Sequence, residues 1–103
     1  MFLARVIGSV VSTKKDEAMK GRKLIVLRPL LVDEANPTQL RSGANTIVAV
    51  DSLGAGLDEV VLFCQGSSAR QATGMKTLPV DAVVVGIVDA VDVLNQKIYP
   101  GKK

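Results

Sequence analysis

Histidine and tryptophan are absent from this 103-residue chain, cysteine occurs once, and Phe2, Phe63 and Tyr99 are its only aromatic residues. Each shortage weighs against a class of function. Without histidine the chain lacks the commonest general base and the commonest metal ligand. The single thiol, Cys64, excludes an internal disulfide and fits a reducing compartment. It sits in an apolar, strand-like run, where a thiol behaves as a small hydrophobe rather than a nucleophile. Three rings are a poor supply for the stacking platform on which small barrels hold single-stranded nucleic acid. No apolar run nears the roughly 18 residues a membrane-spanning helix needs. The densest, AVVVGIV at 82–88, has the length of a strand, so no membrane partner is expected. The N-terminal MFLARVIGS has no charged region ahead of a long apolar core, which predicts no secretory signal and a cytoplasmic protein.

The polar residues that are present do not assemble into an obvious reaction centre. Carboxylates come as the adjacent pairs Asp16–Glu17, Asp33–Glu34 and Asp58–Glu59, and neighbours on an extended chain point to opposite sides. Asp89 and Asp92, three apart, also fall on opposite faces of a strand. GAGLDE (54–59) has the glycines of a phosphate loop but lacks the GK[ST] ending, and no helical pattern follows it. The net charge is +3, concentrated in STKKDEAMKGRK (12–23) and the tail GKK (101–103), and reads as a solvated face. No catalytic residue, metal or cofactor is therefore expected.

Apolar residues are plentiful, at 48% of a chain short enough to build only one small core. The surplus needs cover, and a subunit interface supplies it most simply. Period-two patterning dominates. Strands are expected over 2–12, 23–32, 46–51, 59–65 and 82–94, with Gly8 marking a bend and Pro29 an edge or bulge. In the first, Ala4 and Val6 share one face; in the fourth, Val61 and Phe63 share one face and Val60, Leu62 and Cys64 the other. The turn-rich DEANPTQLRSGAN (33–45) reads as an excursion, and SSARQ (67–71) as one helical turn with Ser67 as its N-cap. This is an all-β pattern, and five strands in about a hundred residues suggest a small closed or nearly closed barrel.

Two small-residue turns bracket the fourth strand: Gly54, Ala55 and Gly56 before it, and Gly66, Ser67, Ser68, Ala69 and Arg70 after it. Glycine serves turns by adopting positive φ at low cost, and it also lets backbone approach backbone. Composition leaves both readings open. So does the barrel pattern itself, for which an OB-like nucleic-acid-binding module is the alternative function.

Longer blocks add a resemblance. VVSTKKDEAMKGRKLIVL, VAVDSLGAGLDEVVLF, GSSARQ and PVDAVVVGIVDAV occur in the order found in the EutN/CcmL family of bacterial microcompartment shell vertex proteins. The resemblance implies one vertex-type domain over residues 1–103, a five-stranded OB-like barrel with short helices, and a cyclic homo-pentamer. It implies a structural, non-enzymatic role at the corners of a shell built with hexameric and trimeric shell proteins, without nucleic acid. Gly54, Ala55, Gly56, Gly66, Ser67, Ser68, Ala69 and Arg70 are then expected at subunit contacts or near an axial opening, with Arg70 pairing across a boundary with Asp58, Glu59 or Asp81. Two departures stand out. Many members carry a bulky aromatic where this chain has Val60, and residues 33–45 form a longer loop than in compact members.

Overall fold

β1 (Phe2–Val10) is a long strand whose alternation turns Ala4 and Val6 inward. Its pairing with β2 (Lys23–Val32) slips between Val6 and Gly8, so the bend falls where the sequence places a glycine. The computed structural model describes residues 1–76 and 78–100; the basic tail at 101–103 lies outside them. β1 ends two residues earlier than the expected 2–12, because its last pairing is Val10 with Leu24 and Val11 has no strand to lie against. β2 matches its expected bounds. Along its second edge β2 pairs first with β4 (Ile47–Asp51), through Lys23 to Leu27, and then with β3 (Leu40–Ser42), through Leu30 to Val32. Pro29 falls in the handover, where no ladder donor is required, while its carbonyl accepts from the Gly43 N–H at 2.8 Å.

β5 (Val60–Gln65) and β6 (Ala82–Ile87) complete the wall. The strand order β1-β5-β6-β4-β2 closes through the β1–β2 pairing, and β4 runs parallel to β6 at Val50 and Val83. The result is the five-stranded, OB-like barrel expected from the sequence, with β3 added outside β2. Ala4, Val6, Ile25, Leu27, Ala49, Ala55, Val61, Phe63, Ala82 and Val84 fill the interior, with Ala4 opposite Val61 and Ala49 opposite Ile25. A second core lies outside the wall, where residues 66–76 and 78–80 cover the outer face. Ala69, Met75, Leu78 and Val80 pack there with Val50 and Val83, and Cys64 joins them as a hydrophobe.

The expected strand over 82–94 is two elements. β6 stops at Ile87, and the chain then forms a separate hairpin of β7 (Val91–Val93) and β8 (Gln96–Tyr99). The polar Asp89 and Asp92 break the apolar run that makes 82–87 a wall strand. Leu94 and Asn95 close the hairpin with φ of 51° and 64°, the two positive values of a type I′-like turn. Asparagine tolerates that conformation and leucine does not, so Leu94→Asn should stabilise the hairpin by about 1 kcal/mol. Native-state hydrogen exchange at the β7–β8 amides should slow correspondingly; unchanged exchange would show that the turn carries no strain.

Candidate assembly surface

The GAG turn is held from beneath by a residue that the sequence reading passed over. Asp51 ends β4 with only 4% of its surface exposed. One carboxylate oxygen accepts from the Leu53 N–H at 2.9 Å and the other from the Ala55 N–H at 2.7 Å. Lys23, its register partner on β2, stands 3.6 Å from the same carboxylate and donates to the Ala55 carbonyl at 2.9 Å. This clamp inserts Ala55 into the barrel core and leaves Gly54 (φ 83°) to turn the chain. The local signal was the DSLG order itself, because an aspartate readily accepts from the backbone two residues on.

Gly56 is fixed from the other side. Its N–H donates to the Glu59 carboxylate at 2.5 Å, and its carbonyl accepts from the Glu59 N–H at 3.1 Å. Asp58, at φ 69°, ties the turn to β1 by donating its N–H to the Val6 carbonyl, and its own carbonyl accepts from Arg5 at 2.8 Å. The loop's apolar side chains find no such cover. Leu53 and Leu57 are 49% and 68% exposed, which leaves an apolar rim around the turn. Beside it runs a shallow groove between Val6–Ser9 and Ala55–Leu57.

GSSAR occupies the opposite end of β5, about 20 Å away at the rise of a six-residue strand. It forms a 3₁₀ turn over Gly66–Gln71 rather than starting after Ser67. Ser67 is therefore not the N-cap; Gln65 precedes the turn, and the Ser68 hydroxyl donates back to its carbonyl at 2.7 Å. Gly66 (φ 67°) reverses the chain, and its N–H donates to the Asp81 carbonyl at 2.7 Å. Ala69 is buried in the outer core, whereas Gly66, Ser67, Ser68 and Arg70 face outward.

The eight expected residues thus divide by place. Ala55 and Ala69 are buried within their own subunit; Gly54, Gly56, Gly66, Ser67, Ser68 and Arg70 reach the surface at two ends of one strand. Among the described residues no carboxylate lies within 4.0 Å of Arg70. Of its three expected partners, the Glu59 carboxylate is engaged by Gly56, and those of Asp58 and Asp81 hold no side-chain bond among the described residues. The aromatic rings are also committed: Phe63 is buried, Phe2 stacks against it at 5.5 Å, and Tyr99 lies 6.0 Å from the Arg5 guanidinium. That arrangement offers no row of exposed rings for bases.

Known proteins share this architecture and sequence. The model of a family described as "Ethanolamine utilisation protein EutN/carboxysome" matches residues 1–89. A carboxysome shell vertex protein, CcmL of Gloeobacter violaceus, is 47% identical over 102 residues, covering 99% of this chain and 96% of the relative. Its solved structure superposes with a TM-score of 0.82 over 96% of each chain. A bacterial microcompartment shell vertex protein, GrpN of Rhodospirillum rubrum, is 46% identical over 95 residues, covering 92% of this chain and all of the relative. The structure of that relative, described as a pentameric microcompartment shell protein, superposes with a TM-score of 0.75 over 90% of this chain and 100% of that one.

Proposed function

Since this chain belongs to the EutN/CcmL family of microcompartment shell vertex proteins, we propose that five copies form a closed ring that caps a corner of such a shell. The observation that carries the reading is the near full-length likeness to the pentameric GrpN subunit. A flat layer of sixfold tiles cannot close on itself, and a fivefold tile inserted among them forces curvature. The role is geometric and non-enzymatic, and it spans residues 1–103 as one structural unit. Its partners are four further copies of itself and the hexameric and trimeric shell proteins around them. The location is the shell of a cytoplasmic microcompartment.

A head-to-tail ring needs two unlike patches on every subunit. The two turns at opposite ends of β5 suit that requirement, one with glycines, Leu53 and Leu57, the other with glycine, serines and Arg70. Gly54 and Gly56 let a neighbour approach the first patch closely. Ser67 and Ser68 at the second would line an axial opening, and Arg70 would bridge to a neighbour's Asp58 or Asp81. The alternative of an OB-like nucleic-acid module lacks a row of exposed rings, since Phe63 is buried and Phe2 packs against it.

Native mass spectrometry of the purified chain, across ionic strengths and with single-stranded nucleic acid added, tests the reading. A salt-resistant pentamer that ignores nucleic acid is expected. A monomer or dimer that takes up nucleic acid and releases it as salt rises would overturn it. Arg70→Ala should destabilise the ring by about 1–3 kcal/mol per contact if the guanidinium bridges subunits. Dilution experiments would then show dissociation at higher chain concentration than for the parent, and an unchanged dissociation curve would remove the bridge.

A further inference from the structure

A groove of about 840 Å³ lies between the 33–45 excursion and the C-terminal hairpin. Thr38, Gln39 and Leu40 form one wall, Gln96 to Tyr99 the other, and Arg5 also lines it. Two features of this groove are unusual together.

The first is its backbone. β3 ends the sheet order and β8 pairs only with β7, so each carries a free edge among the described residues. The hydrogen bonds flanking β3 fix which groups face that edge. Asp33 N–H donates to the Gln39 carbonyl and Gly43 N–H to the Pro29 carbonyl, so residues 39, 41 and 43 turn toward β2. The N–H and C=O of Leu40 therefore turn away from it. In the hairpin, a two-residue turn makes Val93 and Gln96 the hydrogen-bonded pair, and the backbone groups of Lys97 turn outward in the same way. Both Leu40 and Lys97 line the groove.

The second is its charge. Arg5 and Lys97 line it and, among the described residues, no carboxylate does. Arg5 is also the register partner of Arg28, so two guanidinium groups occupy one face of adjacent strands. Among the described residues neither arginine nor Lys97 has a carboxylate within 4.0 Å. Like charges directly opposite on paired strands destabilise each other, and an anion placed between them reverses that cost.

We propose that this groove binds an extended segment of another protein by strand addition, with an acidic side chain of that segment directed at Arg5 and Lys97. Unpaired edges supply backbone affinity, and the flanking cations select the side chain. Every residue that lines the groove belongs to one subunit.

The test uses the full chain, labelled with nitrogen-15, and two capped pentapeptides, Thr-Val-Glu-Val-Thr and Thr-Val-Lys-Val-Thr. Amide resonances are followed during titration while native mass spectrometry reports the oligomer in the same samples. Shifts centred on Leu40, Ser42 and Lys97 are expected, with the glutamate peptide binding about tenfold more tightly than the lysine peptide. Lys97→Glu, a change at an exposed residue, should abolish or invert that preference while the fold stays intact. Equal binding of the two peptides, or no localised shift, would overturn the proposal. Loss of the oligomer as either peptide binds would also overturn it, because a second copy would then be the natural occupant. A chain that binds the glutamate peptide as expected but is not pentameric would leave this inference standing and refute the ring.

Discussion

Replacing Asp51 with alanine is expected to lower the stability of the subunit by about 3 kcal/mol, a loss comparable to truncating a large core side chain. The cost has three sources. The Leu53 and Ala55 N–H groups lose their acceptors, and the bond made by the latter is buried. Lys23 loses the carboxylate 3.6 Å from its ammonium, although half-exposure of the lysine makes this the smallest contribution. The turn that inserts Ala55 into the core then relaxes, and the packing of Ala55 in the barrel interior loosens. Urea unfolding at a fixed chain concentration measures the effect, the concentration being held because any assembly adds to apparent stability. Asp51→Asn should be milder, since one amide oxygen can still accept from the loop while the amide nitrogen faces the second donor. An alanine variant with the parent's midpoint would show that the carboxylate is not what holds the GAG turn.

That residue also marks a boundary of what the sequence makes legible. Period-two alternation locates the walls of the barrel, because burial of one face leaves a direct record in residue type: β2 keeps its expected bounds, and Val61 and Phe63 point inward as their alternation implies. Side-chain-to-backbone clamps leave a fainter record. DSLG is a common turn sequence, and nothing in it states that Lys23, 28 positions earlier, will be the register partner of the aspartate. The hairpin of β7 and β8 is obscured for a related reason. Its turn is Leu-Asn rather than Asn-Gly, so the chain carries an apolar residue where positive φ favours a small or polar one. The excursion at 33–45 hides β3 because three residues of an edge strand are too few to show a period. As for the assembly surface, sequence gives the residues at both turns but not their separation, which follows only once β5 is known to run between them.

The largest effect on assembly is expected from Gly56→Arg, which should convert a pentamer into monomers while leaving the subunit folded. Backbone conformation does not forbid the change, because Gly56 is not among the glycines with positive φ. An added Cβ would meet the Glu59 Oε1 at 3.1 Å, the far end of a flexible side chain that can move aside at a cost of about 1 kcal/mol. Within the subunit the substitution is therefore tolerable. Across a boundary it is not. The arginine would project from the rim where Leu53 and Leu57 stand exposed, into space that a neighbour's backbone would occupy. Overpacking there costs about 1–3 kcal/mol per contact, and symmetry repeats that cost at all five contacts of a closed ring. A penalty that a single interface could absorb thus becomes roughly 5–15 kcal/mol for the assembly. Native mass spectrometry alongside circular dichroism separates the possible results. A folded monomer supports close packing at the GAG turn; a folded pentamer removes the turn from the interface. A chain without β structure would instead assign Gly56 to the fold itself, the Glu59 carboxylate 3.1 Å from any Cβ being unable to move aside.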